Sequence, residues 1–286
     1  MVCAISLVSC GDARGRCQLR RIQQLRNSEV PVRGNSVSQR PQHATKARSP
    51  SGLCQSVFLL RLGIDPDTLE VRFKVIGQSG WSDTVPPDQL QARGICGSGI
   101  IEAVAEMFTA GILRDDGRFV KNLDSPRHIR LDNLDAFVIA TADQSASGLP
   151  VVVSQKDVRM IQLAKAALYV SAQLLMRSLG IAQVDRIVLA GAFGSVIDPR
   201  YAMTIGMIPD CDLERVSTAG NAAGDGARIA LLNKLQRAEA RRVARWVEHV
   251  DQPLEDQFQR LFMAALGLPH STDPFPHLER LIGRKS

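Results

Sequence analysis

The sequence predicts an α/β fold with further helices towards the C-terminal end. Three observations predict it. A strand pattern, a glycine-rich turn and a helical pattern follow one another three times along the chain. The helical stretches are long enough to cross over between parallel strands. The 286 residues, 45% of them hydrophobic, suffice for the core of one large domain or two modest ones.

The elements follow in order. Leu69, Val71, Phe73 and Val75 alternate with Glu70, Arg72 and Lys74, the period of a half-buried strand. After a polar link, the Gly94 to Gly99 turn opens a helix that places Ile100, Ile101, Val104, Met107, Phe108 and Ile112 on one face. Ser98 is its expected N-cap, and Gly111 lies near its end. Strands are expected at 134–141 and at Val151 to Val153. The second runs into Ser154-Gln-Lys-Asp157, a capping box, and a helix that stops at Gly180. Its expected core face is Val158, Ile161, Leu168, Leu175 and Leu179.

Arg186 to Ala190 reads as a buried strand leading into the Gly191 to Gly194 turn. Asp198-Pro199 opens a short helix, with Asp as N-cap and Pro at the first helical position. Val216 to Thr218 is a short strand, and the Gly220 to Gly226 turn starts a helix through Leu232. Residues 234–266 read as helical with mixed charge, and Thr272 to Ser286 as a surface-lying end.

The formal charge is +6. Residues 11–50 hold nine Lys or Arg and two acids, whereas residues 51–286 carry a net charge of −1. The basic excess is therefore a property of residues 1–56, a segment without helical or strand periodicity, and it reads as a disordered basic tail. That segment has no aromatic residue, so base stacking is unavailable and nucleic-acid binding is not expected of the body. The six cysteines form no Cys-x-x-Cys pair and are too sparse for a disulfide scaffold, which points to a reduced, cytoplasmic setting. No apolar stretch approaches the roughly 20 residues a membrane span needs. A Leu7-Val-Ser-Cys10 sequence lacks the basic and apolar stretches of a signal peptide.

Three glycine turns at strand–helix boundaries point to nucleotide binding. Ligands of open α/β sheets bind outside the carboxyl ends of strands, where helix N-termini offer free N–H groups. None of the turns fits a P-loop or Gly-x-Gly-x-x-Gly. Cys96, just before a helix, is either an activated thiol or a small residue in a tight turn. Asp157 is either the capping box or a ligand contact. Lys156 is either solvated or within reach of a phosphate, and Asn221 either contacts nucleotide or stabilises its turn. The five histidines show no metal-like spacing, no metal ligands are expected, and no catalytic residue is assigned.

Gly94-Ile-Cys-Gly-Ser-Gly-Ile-Ile-Glu-Ala, Ser154-Gln-Lys-Asp-Val-Arg, Leu189-Ala-Gly-Ala-Phe-Gly-Ser, Ile208-Pro-Asp and Gly220-Asn-Ala-Ala-Gly-Asp-Gly-Ala closely resemble the C-terminal domain of the ATP-dependent reductive activases of corrinoid proteins. The resemblance runs from about Gly63, so the expected domains are 1–56, irregular, and 63–286. It implies an RNase H-like lobe of the actin/sugar-kinase (ASKHA) superfamily, with ATP, and magnesium with it, in a cleft between lobes. It implies that Gly191, Ala192, Phe193 and Gly194 match the adenosine motif and that Gly97, Ser98 and Gly99 lie near the nucleotide; Asn221 completes the expected nucleotide-binding set. The activity implied is reduction of cob(II) to cob(I) on a corrinoid protein partner, and a homodimer is a further expectation.

Two features of such activases are absent. One is the Cys-x4-Cys-x2-Cys spacing of a 2Fe–2S ferredoxin domain, and the other is the Asp-x-Gly-Thr phosphate loop of the first lobe. The expectation is a truncated or frameshifted C-terminal domain, with residues 1–56 read in a foreign frame and the opening strand hairpin missing. The alternative is a non-catalytic docking or dimerisation module.

Overall fold

A computed structural model of the chain describes residues 4–9, 18–19, 58–191, 194–247 and 255–283, the first two segments and residues 255–256 as backbone only. In chain order the strands are β1 (Ala4–Ser9), β2 (Gln18–Leu19), β3 (Phe58–Ile64), β4 (Val71–Val75), β5 (Gly94–Ile95), β6 (His128–Leu131), β7 (Leu134–Ala140), β8 (Val151–Ser154), β9 (Arg186–Ala190) and β10 (Val216–Thr218). The helices are α1 (Pro87–Leu90), α2 (Gly97–Thr109), α3 (Gln155–Ser178), α4 (Pro199–Thr204), α5 (Ala222–Leu232), α6 (Lys234–Trp246), α7 (Glu255–Ala264) and α8 (Pro276–Ile282).

The strands form three ladders, ordered β10-β9-β1-β2, β4-β3-β5 and β6-β7-β8. Parallel pairing, expected throughout, holds for β3 with β5 and for β9 with β10. The other ladders are antiparallel. The reason is connection length. Only residues 141–150 separate β7 from β8, too few for a helical crossover, so the chain turns back on itself. β6 has no counterpart in the sequence reading. It reaches β7 through Asp132 and Asn133, both left-handed at φ 47° and 63°, the conformation of a type I′ hairpin turn.

β3 crosses the boundary expected at Gly63 and forms a hairpin with β4, from Leu59 opposite Val75 to Ile64 opposite Val71. Leu69, expected in the strand, instead sits in the turn at φ 58°, where Asp65 Oδ1 accepts the amides of Asp67 and Thr68. Within the N-terminal segment read as aperiodic, the uncharged run Ala4–Ser9 is a strand antiparallel to β9. The β-formers Ile5 and Val8 in that run are the local signal for it. Apart from β2, the rest of residues 1–56 lies outside the described residues.

A continuous apolar core joins β3, β4, α2, β7, α3, β9 and α4 to residues 265–278. The C-terminal stretch expected on the surface instead buries Phe275 and Leu278. Asp210, from the Ile-Pro-Asp motif, makes that possible. Its carboxylate accepts the amides of His277 and Leu278 at 3.1 Å each and so caps α8.

Two acids on the apolar face of α2 bind the open edge of β3. Glu102 Oε2 accepts the Leu62 amide (3.1 Å), and Glu106 Oε2 accepts the Ile64 amide (3.0 Å). Glu102 is 2% exposed, and burial pushes its carboxyl up against the pull of the Arg61 guanidinium, 3.0 Å away. Glu106 Oε1 accepts the Tyr201 hydroxyl at 2.7 Å, and Arg61 also reaches Asp198 at 3.3 Å, so α2, β3 and α4 form one polar lattice.

Glu102→Ala leaves a buried strand amide without an acceptor and is expected to cost about 1–3 kcal/mol in urea unfolding. Arg61→Ala, at a half-exposed position, should cost under about 1 kcal/mol. Equal losses for the two variants would show that the ion pair, rather than the amide bond, holds the edge.

Candidate functional site at the carboxyl ends of β9 and β10

β9 and β10 run parallel, with Ile187 opposite Val216 and Leu189 opposite Thr218. Both end in glycine. Gly191 has φ 110° and Gly220 φ 58°, conformations that side chains other than glycine rarely adopt. The two turns meet: the Gly191 amide donates to the Gly220 carbonyl (2.8 Å), and the Ala219 amide to the Leu189 carbonyl (2.9 Å). Gly194 returns close under β9, where a Cβ would stand 3.1 Å from the Ala190 carbonyl oxygen. Ala192 and Phe193 lie outside the described residues.

Asn221 is the N-cap of α5. Its Oδ1 accepts the Gly224 amide at 3.2 Å and so stabilises the turn, one of the two roles expected for it. The site is therefore two adjoining backbone turns and the positive end of an eleven-residue helix, an arrangement suited to close approach by an anion or a flat ring.

The Gly97 to Gly99 turn is built differently. The N-cap of α2 is Cys96, not Ser98: its Sγ accepts the Gly99 amide at 3.2 Å. Ser98 is the better capping residue by type, but the helix begins two residues earlier than that cap would set and takes Ser98 into its first turn. Ser98 is buried with its Oγ 3.2 Å from Cys96 Sγ, Gly99 is buried, and Gly97 is exposed. A Cβ on Gly99 would stand 2.6 Å from the Leu59 carbonyl oxygen, so this glycine lets α2 press against β3. The bonds of this turn run to β3 and Cys96 rather than to the Gly191–Gly220 pair. Asp157 closes the expected capping box, its Oδ2 2.9 Å from the Ser154 amide, and Lys156 is exposed.

A second polar cluster escaped the sequence reading. Lys165, in the middle of α3, is fully buried and donates to the carbonyls of Gly267 and Pro269, the latter at 2.7 Å. Burial pulls its ammonium down to about 7. Gln162 donates to the Leu266 carbonyl (2.6 Å), and Asp273 accepts from Tyr169 (2.8 Å) and Gln173. His270 Nδ1 accepts the Asp273 amide at 2.9 Å, which fixes the neutral ring, and burial lowers its pKa in the same direction. Together these side chains hold residues 266–273 against α3. A polar residue at a helical core position, here Gln162 and Lys165 in register with Val158 and Tyr169, is the signal that could have revealed them.

A family model described as the C-terminal domain of RACo, the ASKHA domain, matches residues 55–279. This chain belongs to that family. The ASKHA assignment agrees with the mixed α/β layers and makes the β9–β10 edge part of an RNase H-like lobe. A relative from Eubacterium limosum, described as the corrinoid activation enzyme RamQ, is 37% identical over 180 residues, 60% of this chain and 30% of its own length. A solved structure described as a reductive activator for corrinoid, iron–sulfur protein superposes with a TM-score of 0.68 at 29% identity, covering 78% of this chain and 34% of that one. The chain thus spans about a third of the length of these relatives. Among the described residues, no helix is long and apolar enough to cross a membrane.

Lys165 yields a signed pH effect. The unfolded side chain keeps its proton up to 10.5, whereas the folded one releases it near 7, so between these values the unfolded state holds more protons. Stability should therefore rise from pH 7 to pH 9 as a urea midpoint, and Lys165→Met should flatten that rise. Separately, Gly99→Ala should cost about 1–3 kcal/mol through the clash with Leu59. Gly220→Ala should cost about 1–2 kcal/mol through its left-handed backbone alone, since nothing lies within 4 Å of the added methyl.

Proposed function

We propose that this ASKHA domain binds MgATP at the β9–β10 edge and serves the ATP-dependent reductive activation of a corrinoid protein. In that reaction cob(II) takes up one electron and becomes cob(I). The observation that carries the reading is the Gly191–Gly220 hydrogen bond, which gathers two left-handed glycines where parallel strands end. That backbone fits a nucleotide, because Gly191 and Gly220 put no Cβ between a ligand and the main chain at their own positions.

The roles divide as follows. Gly191 and Gly194, with Ala192 and Phe193 between them, form the bed for the adenosine. Asn221 fixes the first turn of α5 so that its free amides stay aimed outward. Gly97, with Ser98 and Gly99 behind it, borders the cleft from α2. ATP supplies binding energy that differs between two conformations, and moving such an equilibrium from 1:99 to 99:1 takes about 5.5 kcal/mol.

The electron is proposed to come from a donor outside the described residues. A 2Fe–2S cluster needs four ligands. Among the described residues Cys96 is a helix cap, and burial pushes the Cys211 thiol up to about 11. Neither cysteine suits a cluster.

Calorimetry with MgATP on the full chain tests the reading. Gly194→Val should weaken binding at least roughly tenfold, about 1.4 kcal/mol, in a chain that circular dichroism shows still folded, while its unfolding midpoint falls because a Cβ there crowds the Ala190 carbonyl. Rapid ATP hydrolysis by the chain without a corrinoid protein would overturn the proposed division of labour. Capture of a corrinoid protein with no response to ATP would favour a purely docking module.

A further inference from the structure

The arm formed by α5 and α6 is exposed along its whole length. Neither helix contains a buried residue. Arg237 fixes the elbow between them by donating to the Ala230 (2.8 Å) and Leu231 (2.9 Å) carbonyls at the end of α5. Asn233 caps α6 through the Leu235 and Gln236 amides. The arm is therefore ordered by its own polar contacts, yet Leu231, Leu232 and Leu235 are 74–80% exposed and Trp246 is 55% exposed.

The charge on α6 is not scattered. It carries five basic residues and one acid. At about 100° per residue, Lys234, Arg241 and Arg245 fall within an arc of about 40°, and Leu235 and Trp246 lie on the adjoining face, about 100–120° from the centre of the arc and within about 20° of each other. Among the described residues these three cations have no carboxylate partner, unlike Arg228 with Asp225 and Arg242 with Glu239. Residues 51–286 together carry a net charge of −1, so this basic arc is a local feature.

We propose that the Lys234–Arg241–Arg245 arc, with Leu235 and Trp246 on the adjoining face, docks an acidic surface of the corrinoid protein. The proposal rests on the functional reading above for the identity of the partner. Charge complementarity sets the chemistry of the occupant: cations without a carboxylate partner among the described residues, next to a face with an aromatic anchor, match a carboxylate-rimmed apolar spot. A bilayer fits less well. The apolar strip of α6 is two large side chains wide, and Glu239 borders it, paired with Arg242 through a 2.8 Å bond. An anionic lipid surface would repel that carboxylate.

The test measures binding of the full chain to a purified corrinoid protein with rising salt. Affinity should fall as salt rises. The triple variant Lys234→Glu, Arg241→Glu, Arg245→Glu should lose at least roughly tenfold in affinity and most of the salt dependence, because rim charges steer encounter. The charge-keeping variant Lys234→Arg, Arg241→Lys, Arg245→Lys should bind as the parent does. Circular dichroism should not change, since no buried contact is touched. Equal binding by the parent and the reversed variant overturns this docking face while leaving the functional reading intact. No binding by the parent overturns the reading itself. Capture by phosphatidylserine vesicles, lost in the reversed variant, with unchanged corrinoid-protein binding would reassign the face to membranes.

Discussion

The architecture hangs on two carboxylates. β3 is an edge strand over most of its length, and an edge strand presents amides that must find acceptors. Glu102 and Glu106 supply them from one turn of α2 to the next, at Leu62 and Ile64. The same two acids recruit Arg61 and Tyr201, and through Arg61 the N-cap Asp198 of α4. The loop from β9 to α4 is thus tethered at both ends: Gly191 is bonded to Gly220, and Asp198 to the α2–β3 lattice. The candidate nucleotide turn owes its position to a strand edge in another ladder.

Among the described residues, the hydrogen bonds of the β9–β10 edge are made by main chain and by the Asn221 cap. Polar lattices such as Arg61–Glu102–Asp198 can re-pair when neighbouring elements shift, whereas a packed apolar core resists continuous deformation. A nucleotide bound to the glycine turns would act on α4 through the loop that ends at Asp198. In this way a local contact could reach the face of α2 and β3 without any new cofactor on the chain.

Local features were legible in the sequence because their physics is local. The Ser154–Asp157 capping box, the Asp198-Pro199 start of α4 and the left-handed Gly180 are each decided within a few residues. The Gly191 and Gly220 turns were legible for the same reason, since they close adjacent strands. What escaped was decided over distance. Glu102 and Glu106 look like interruptions of an apolar face until β3 provides unpaired amides 40 and 42 residues away. Cys96 displaced Ser98 as the cap because α2 begins where β3 accepts the Cys96 amide. The antiparallel pairing of β7 with β8 was not legible because periodicity carries no direction. Residues 1–57, apart from β1 and β2, and Ala192 and Phe193 of the Gly191–Gly194 turn lie outside the described residues.

The lysine at the centre of α3 sets a schedule for biosynthesis. Its acceptors on Gly267 and Pro269 stand 102 and 104 residues further along, so they do not exist while α3 is first emerging from the ribosome. Until they arrive, a charged side chain occupies the face that the rest of the core needs to close upon. Native burial of Lys165 therefore waits until residues 267–269 have been made. A nascent chain halted before residue 267 would present its unfinished surface to chaperones instead of settling into a premature, stable half-fold.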